Sequence, residues 1–164
     1  MNNKKPAFSG KSINAFFIRM MFRLYPPYLG SGLRVVRIGD NFDFIDVKLV
    51  LRFWNRNYVG TQFGGSLYSM CDPFMMYILI KKLGWDYIVW DKGAEIKFIK
   101  PGKGDVFAHF SLDDEAIEAI KAQAEVSEKV EPVYTIEVKD KNGNLIALVN
   151  KKLYIKKKNP KASQ

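Results

Sequence analysis

Between residues 55 and 73 the chain reads NRNYVGTQFGGSLYSMCDP, a run of small and polar groups ending in an acid. Gly64 and Gly65 open a helical pattern that extends from about Phe63 to Leu83. The first N–H groups of a helix have no partner inside it, and glycine sets no side chain in front of them. Such a start suits an anion or a polarised carbonyl oxygen. On one continuous helix, steps of four, three and four place Gly65, Ser69, Asp72 and Met76 on a common face. Asp72 then lies about two turns, or ~10 Å, beyond the glycines. Amide hydrogens that polarise a carbonyl, with a carboxylate nearby, are the raw material of acyl transfer.

Asp72-Pro73 has other readings. Asp as N-cap with Pro at the first helical position is a favoured helix start. Asp72 would then only cap, and residues 63–71 would be a separate piece. Alternatively Pro73 kinks a continuous helix by freeing the Ser69 carbonyl. Spacing leaves cap and catalyst equally open.

Other constellations mostly exclude chemistry. His109 is the only histidine and Cys71 the only cysteine, so neither a two-histidine zinc site nor an internal disulfide is available. No metal or separate cofactor is expected. Ser66 in FGGSLY does not sit in a nucleophile elbow. KPGKGD (100–105) lacks phosphate-loop spacing and reads as a turn between strands, with Lys100 and Lys103 able to meet a phosphate.

These residues need elements to hold them. Residues 1–11 and 159–164 read as loose ends flanking one domain over 12–158. Ser12 is a candidate cap for a helix to about Tyr25, stopped by Pro26-Pro27. Phe16, Phe17, Met20, Met21 and Leu24 give that helix an apolar face. Residues 33–39 and 43–54 alternate as strands. Phe74 to Ile80 is apolar on every side, which predicts a helix buried all round. Strands follow at 87–102 and 104–112, then a short exposed helix at 115–127. A hairpin closes the chain over 131–156, with Asn142-Gly143 at its turn. The order predicts an α+β fold in which an antiparallel sheet wraps one central helix, with sheet edges that call for a partner.

The chain's 164 residues suit one core, and 48% hydrophobic content argues against disorder. The net charge of +9 favours anionic partners. Lys151, Lys152, Lys156, Lys157, Lys158 and Lys161 crowd the C-terminal end. A solvated, fraying tail is favoured there over a nucleic-acid arm, and no nucleic acid is expected. No stretch approaches the ~20 apolar residues of a membrane span, and Arg19 and Arg23 interrupt the one leader-like run. With one cysteine, the expectation is a cytoplasmic protein.

Asn57, Gly60, Thr61, Phe63, Gly64, Gly65 and Asp72 together resemble the motif of hotdog-fold thioesterases of the phenylacetate-degradation type. That motif has an asparagine, His-Gly-Gly six residues on, and an acid seven after the second glycine. EIKFIKPGKGDVFAHF (95–110) and VYTIEVKDKNGNLIALVNKKLYI (133–155) resemble its later strands, so the likeness spans roughly 40–156. The N-terminal helix is similar to a less characterised, acyl-CoA thioesterase-like branch. The resemblance implies hydrolysis of an acyl-CoA thioester at a subunit interface of a homodimer or homotetramer. Asp72 would be general base or nucleophile, the Gly65 N–H would polarise the carbonyl, and Asn57 would orient the carbonyl or the water. Thr61, Phe63, Gly64 and Ser69 would line the substrate site. Lys100 and Lys103, joined by Lys151 and Lys152, would face the coenzyme A phosphates. Phe63 stands where the family has histidine. That departure keeps a second reading open: a non-catalytic module that binds acyl-CoA or lipid.

Overall fold

The computed structural model describes residues 11–158, with side chains from Phe17 onward. The expectations for residues 1–10 and 159–164, and for the Ser12 and Phe16 side chains, lie outside the described residues. The elements in order are α1 (Lys11–Leu24), α2 (Pro26–Ser31), β1 (Leu33–Ile38), β2 (Phe44–Leu49), α3 (Gly64–Ser69), α4 (Phe74–Leu83), β3 (Tyr87–Phe98), β4 (Val106–Ser111), α5 (Asp114–Val126), β5 (Val133–Asp140) and β6 (Leu145–Lys157). The strands form one six-stranded antiparallel sheet in the order β1-β2-β4-β5-β6-β3. β1 and β3 are therefore its edges.

Period-two patterning aims one sheet face at the helix. β4 buries Val106, Ala108 and Phe110 and turns Phe107, His109 and Ser111 outward. β6 buries Ala147, Val149, Lys151, Leu153 and Ile155. Phe74, Ile78 and Leu79 of α4 are fully buried against that face. Burying each such side chain stabilises the fold by about 1.5–3 kcal/mol. Met76, Tyr77 and Ile80 are only half-buried, so α4 keeps one partly open side. The hairpin turn is as expected: Gly143 has φ 82°, and the Asp140 carboxylate accepts the N–H groups of Asn142 and Asn144.

Several expectations are corrected. The single long helix over 63–83 is two helices, α3 and α4, broken at residues 70–73, where the Asp72-Pro73 peptide is cis. Pro73 is the N-cap residue of α4, and no side chain caps that helix. Asp72 is thus no cap, and the common face assumed for a continuous helix does not form. Pro26-Pro27 not only stops α1 but begins α2, where proline's fixed φ suits a first turn. Among the described side chains of α1 the buried one is Phe22, whose ring packs 5.4 Å from Phe74 and 5.6 Å from Tyr77; Met20, Met21 and Leu24 are exposed. β2 ends at Leu49 and not at 54. Beyond it the backbone is held by side chains: Asp105 accepts the Leu51 N–H at 2.9 Å, and Asn55 accepts the Arg52 N–H at 2.6 Å. As far as it is described, the basic C-terminal stretch is not a fraying tail. It is strand β6 as far as Lys157, with Lys156 paired to Glu128 and Lys157 to Glu125.

Candidate functional site

The first half of the site is a pocket. The loop from Val50 to Phe63 leads into α3. Asn57 ties this loop to itself: its amide donates to Thr61 Oγ1 at 2.9 Å and to the Gln62 carbonyl at 3.2 Å, and its oxygen accepts the Thr61 N–H at 2.9 Å. Both donors are used, so Asn57 has none to offer a substrate carbonyl. Asn57 therefore closes its own loop, and the water-orienting part of the role expected of it rests on its amide oxygen, which can accept a second hydrogen bond. Gln62, fully inside, anchors the loop by donating to the carbonyls of Leu49 and Gly104 at 3.2 and 3.0 Å. The folded loop, α3 and the turn after β3 border an open cavity of about 590 Å³ whose walls include Asn57, Thr61, Gly64, Phe98, Lys100 and Lys103.

At the helix start two aromatic rings press on the glycines. A Cβ on Gly64 would lie 3.0 Å from the Phe98 ring, and one on Gly65 only 2.5 Å from the Phe63 ring. The pair of glycines therefore serves close aromatic packing as well as bare amides. Among the described residues, neither the Gly64 nor the Gly65 N–H donates a hydrogen bond, while those of Ser66 and Leu67 both reach the Phe63 carbonyl at 3.0 Å. Gly64 faces the cavity. Phe63 is exposed, and Ser69 is absent from the cavity walls; its carbonyl accepts the Asp72 N–H at 3.2 Å.

The second half is a charged cluster that the sequence reading did not assemble. Asp72 Oδ1 lies 2.9 Å from Nζ of Lys151, and Asp91 Oδ1 lies 3.1 Å from the same nitrogen. The lysine side chain is 1% exposed and that of Asp72 is 45% exposed. The expectation that Lys151 faces a phosphate is corrected. Lys151 is inside the sheet, and Lys152 pairs outward with Glu131 at 2.9 Å. The tyrosine hydroxyl of Tyr28 donates to the Asp72 carbonyl at 2.8 Å and fixes the backbone there. Burial works to raise the Asp72 pKa, but hydrogen bonds from Asp91 and Lys151 outweigh it and hold the carboxyl below its ordinary value. Burial, then the hydrogen bond shared with Asp72, pushes Asp91 up to about 6 against the pull of Lys151. Burial works to lower the Lys151 pKa, but Asp72 and Asp91 hold the ammonium above its ordinary range.

Asp72 does not line the cavity of its own chain. Within the chain, the carboxylate and the helix start are therefore not part of one cavity. His109 is on the outward face of β4, where its Nδ1 lies 2.6 Å from Asp46. Among the described residues no cluster of histidine, cysteine and acids could hold a metal ion. No described helix is long and apolar enough to cross a membrane.

A family described as a domain of unknown function, DUF4442, matches residues 14–155. Among curated proteins none matches the chain. Several solved structures are similar. A Pseudomonas aeruginosa protein of unknown function, described as a probable thioesterase, is 20% identical with a TM-score of 0.75, over 87% of this chain and 95% of that one. A thioesterase of Haemophilus influenzae is 12% identical with a TM-score of 0.64, over 87% and 90%. The PaaI protein of the Escherichia coli phenylacetic acid degradation operon is 16% identical with a TM-score of 0.59, over 90% and 95%. The shared architecture is the hotdog fold: an antiparallel sheet wrapped on a central helix, here interrupted at Pro73.

Proposed function

We propose that this chain, a member of the DUF4442 family across residues 14–155, hydrolyses an acyl-CoA thioester at a site shared between two subunits. The observation that carries the proposal is Asp72, a carboxylate held below its ordinary pKa by Asp91 and a buried ammonium yet left open to solvent. A group so held has work to do at an opening. Thioesterases among the similar structures support the reaction class.

Sheet geometry supports sharing the site. β3 is an edge strand of twelve residues, and Lys92 to Glu95 at its middle are exposed. An exposed edge of that length invites a second strand. In antiparallel self-pairing about a two-fold axis between Ala94 and Glu95, Phe98 of one strand stands opposite Asp91 of the other. Phe98 borders the Gly64 pocket, and Asp91 adjoins Asp72. The pairing would therefore bring each carboxylate to the partner's helix start. There Asp72 takes a proton from water as the water oxygen bonds to the thioester carbon. The Gly64 and Gly65 N–H groups stabilise the charge growing on the carbonyl oxygen. The C–S bond then breaks and the sulfur leaves with the proton returned from Asp72. Lys100 and Lys103 at the cavity rim suit the phosphates of coenzyme A.

Assay of the purified protein on acyl-CoA species from short to long tests this reading. Asp72→Asn should lower kcat by about 10²–10⁴-fold, the usual contribution of a positioned base. No turnover at any chain length, or an undiminished variant, overturns it. The Phe63 ring packed on Gly65 favours a second reading, an acyl-binding module without turnover. Saturable acyl-CoA binding with no hydrolysis would establish that one.

A further inference from the structure

Behind the Asp72 carboxylate are two ionisable groups that proton abstraction from water does not itself require. Lys151 stands at an inward position of β6, between Val149 and Leu153, where an apolar side chain would otherwise complete the core. Its ammonium is closed off on three sides. Asp72 lies 2.9 Å away, Asp91 3.1 Å away, and the Tyr68 ring centroid 5.3 Å away. Desolvating an ammonium is expensive unless opposite charge surrounds it, so this position is costly as a packing choice alone. Asp91 is delivered by an irregularity in β3. The β3–β6 register shifts between Asp91 and Gly93, which re-aims side chains locally. Asp91 Oδ1 is buried and, despite its closeness to Lys151, has no aligned hydrogen bond among the described residues.

We propose that Lys151 and Asp91 are positioning residues for Asp72, and that the proton on Asp91 sets how strong a base Asp72 is. The proposal rests on the reading of Asp72 as the base for thioester hydrolysis. With Asp91 ionised, two carboxylates share one ammonium, and the extra negative charge makes Asp72 more eager for the proton of water. With Asp91 protonated, its O–H is donated to Asp72, occupies an oxygen lone pair and weakens the base. Lys151 opposes protonation of either acid and keeps Asp72 aimed. The other groups facing the cluster do not compete for the proton. Tyr28 from α2 and Cys71 beside Asp72 are both pushed up by burial, the thiol to about 12. Tyr68 of α3 offers its ring face, and Lys92, next to Asp91 on β3, pairs outward with Glu131.

The test joins two measurements on wild type, Asp91→Asn and Lys151→Met: the pH profile of kcat/KM with one acyl-CoA, and carbon-13 titration of the aspartate carboxyls. Wild type should show an acid limb near pH 6, with a carboxyl titrating at the same midpoint. Asp91→Asn should lower kcat about tenfold with KM little changed, and move the limb down by about one pH unit or more. Lys151→Met should move the limb and the carboxyl midpoint upward, because the acids lose their counter-charge. A wild-type profile in Asp91→Asn, or both carboxyls titrating near the ordinary value of about 4, overturns the proposal. An inactive wild type would remove the hydrolase reading, leaving carbon-13 titration to decide for or against the coupled unit. Should Lys151→Met not fold, Asp91→Asn carries the test alone.

Discussion

A carboxylate in an apolar run needs a counter-charge, and at Asp72 that charge is a buried lysine from the far end of the sequence. Asp72 was legible from the chain because an acid directly before Pro73 interrupts an apolar stretch. The choice between cap and catalyst was not, because it depends on a partner 79 positions away. Lys151 did carry a signal, since it falls on the inward parity of β6 with Val149, Leu153 and Ile155. Among so many lysines at that end, composition hid it. At Asn57 the spacing matched a substrate-orienting residue and gave no sign that its hydrogen bonds also close its own loop. Two predictions belong at this scale. Lys151→Ala leaves two carboxylates facing each other. Removing one partner of a buried pair costs about 3–5 kcal/mol; because Asp72 reaches solvent, the expected loss by chemical denaturation is toward the lower end of that range. Asp91 is protonated more readily in the folded chain than in the unfolded one, so it favours folding at low pH, and that favour is lost as pH rises from about 4 to about 6. Asp91→Asn should therefore melt above wild type at pH 7.5, with the gain fading as pH falls through that window. A gain that is the same at pH 4 and pH 7.5 would contradict the assignment.

Among the elements, the hairpin, the short helix α5 and the core strands follow directly from period and turn chemistry. Two elements do not. The apolar run from Phe74 to Ile80 joins smoothly to the GGSLYS pattern, so periodicity alone extends one helix through a break that backbone geometry at Pro73 imposes. β2 was drawn too long because alternation continues through Val50 to Trp54. There the side chains of Asp105 and Asn55, distant in sequence or opposed in direction, take the backbone groups that a ladder would use. The joint that holds this loop is Gly32, with φ 82°. A Cβ there would lie 2.5 Å from the Val50 carbonyl oxygen and 2.4 Å from the Asn55 amide nitrogen. Left-handed backbone costs a residue with a side chain about 1–2 kcal/mol, and the clash adds to it. Gly32→Ala should lower the melting temperature and, by releasing the loop that walls the cavity, raise KM more than it lowers kcat. A variant with wild-type stability would show that the joint is not as tight as drawn.

For the whole molecule, a sheet wrapped on a helix was readable from element order. The proposed self-pairing draws on the strand order, which places β3 outermost with Asp91 and Phe98 spaced along it. The net charge says little about the proposed pairing. Several of the lysines stand in outward pairs, such as Lys92, Lys129 and Lys152 around Glu131. The central claim is that one subunit's Asp72 acts on a thioester held in the other's pocket. Mixing two inactive variants tests it most directly: Asp72→Asn, with its pocket intact, and Gly64→Trp, with its carboxylate intact. After subunit exchange, half the dimers would be mixed, and each would hold one complete site of its two. Activity should then return to roughly a quarter of wild type. An active wild type whose two variants exchange subunits yet recover nothing would contradict the account.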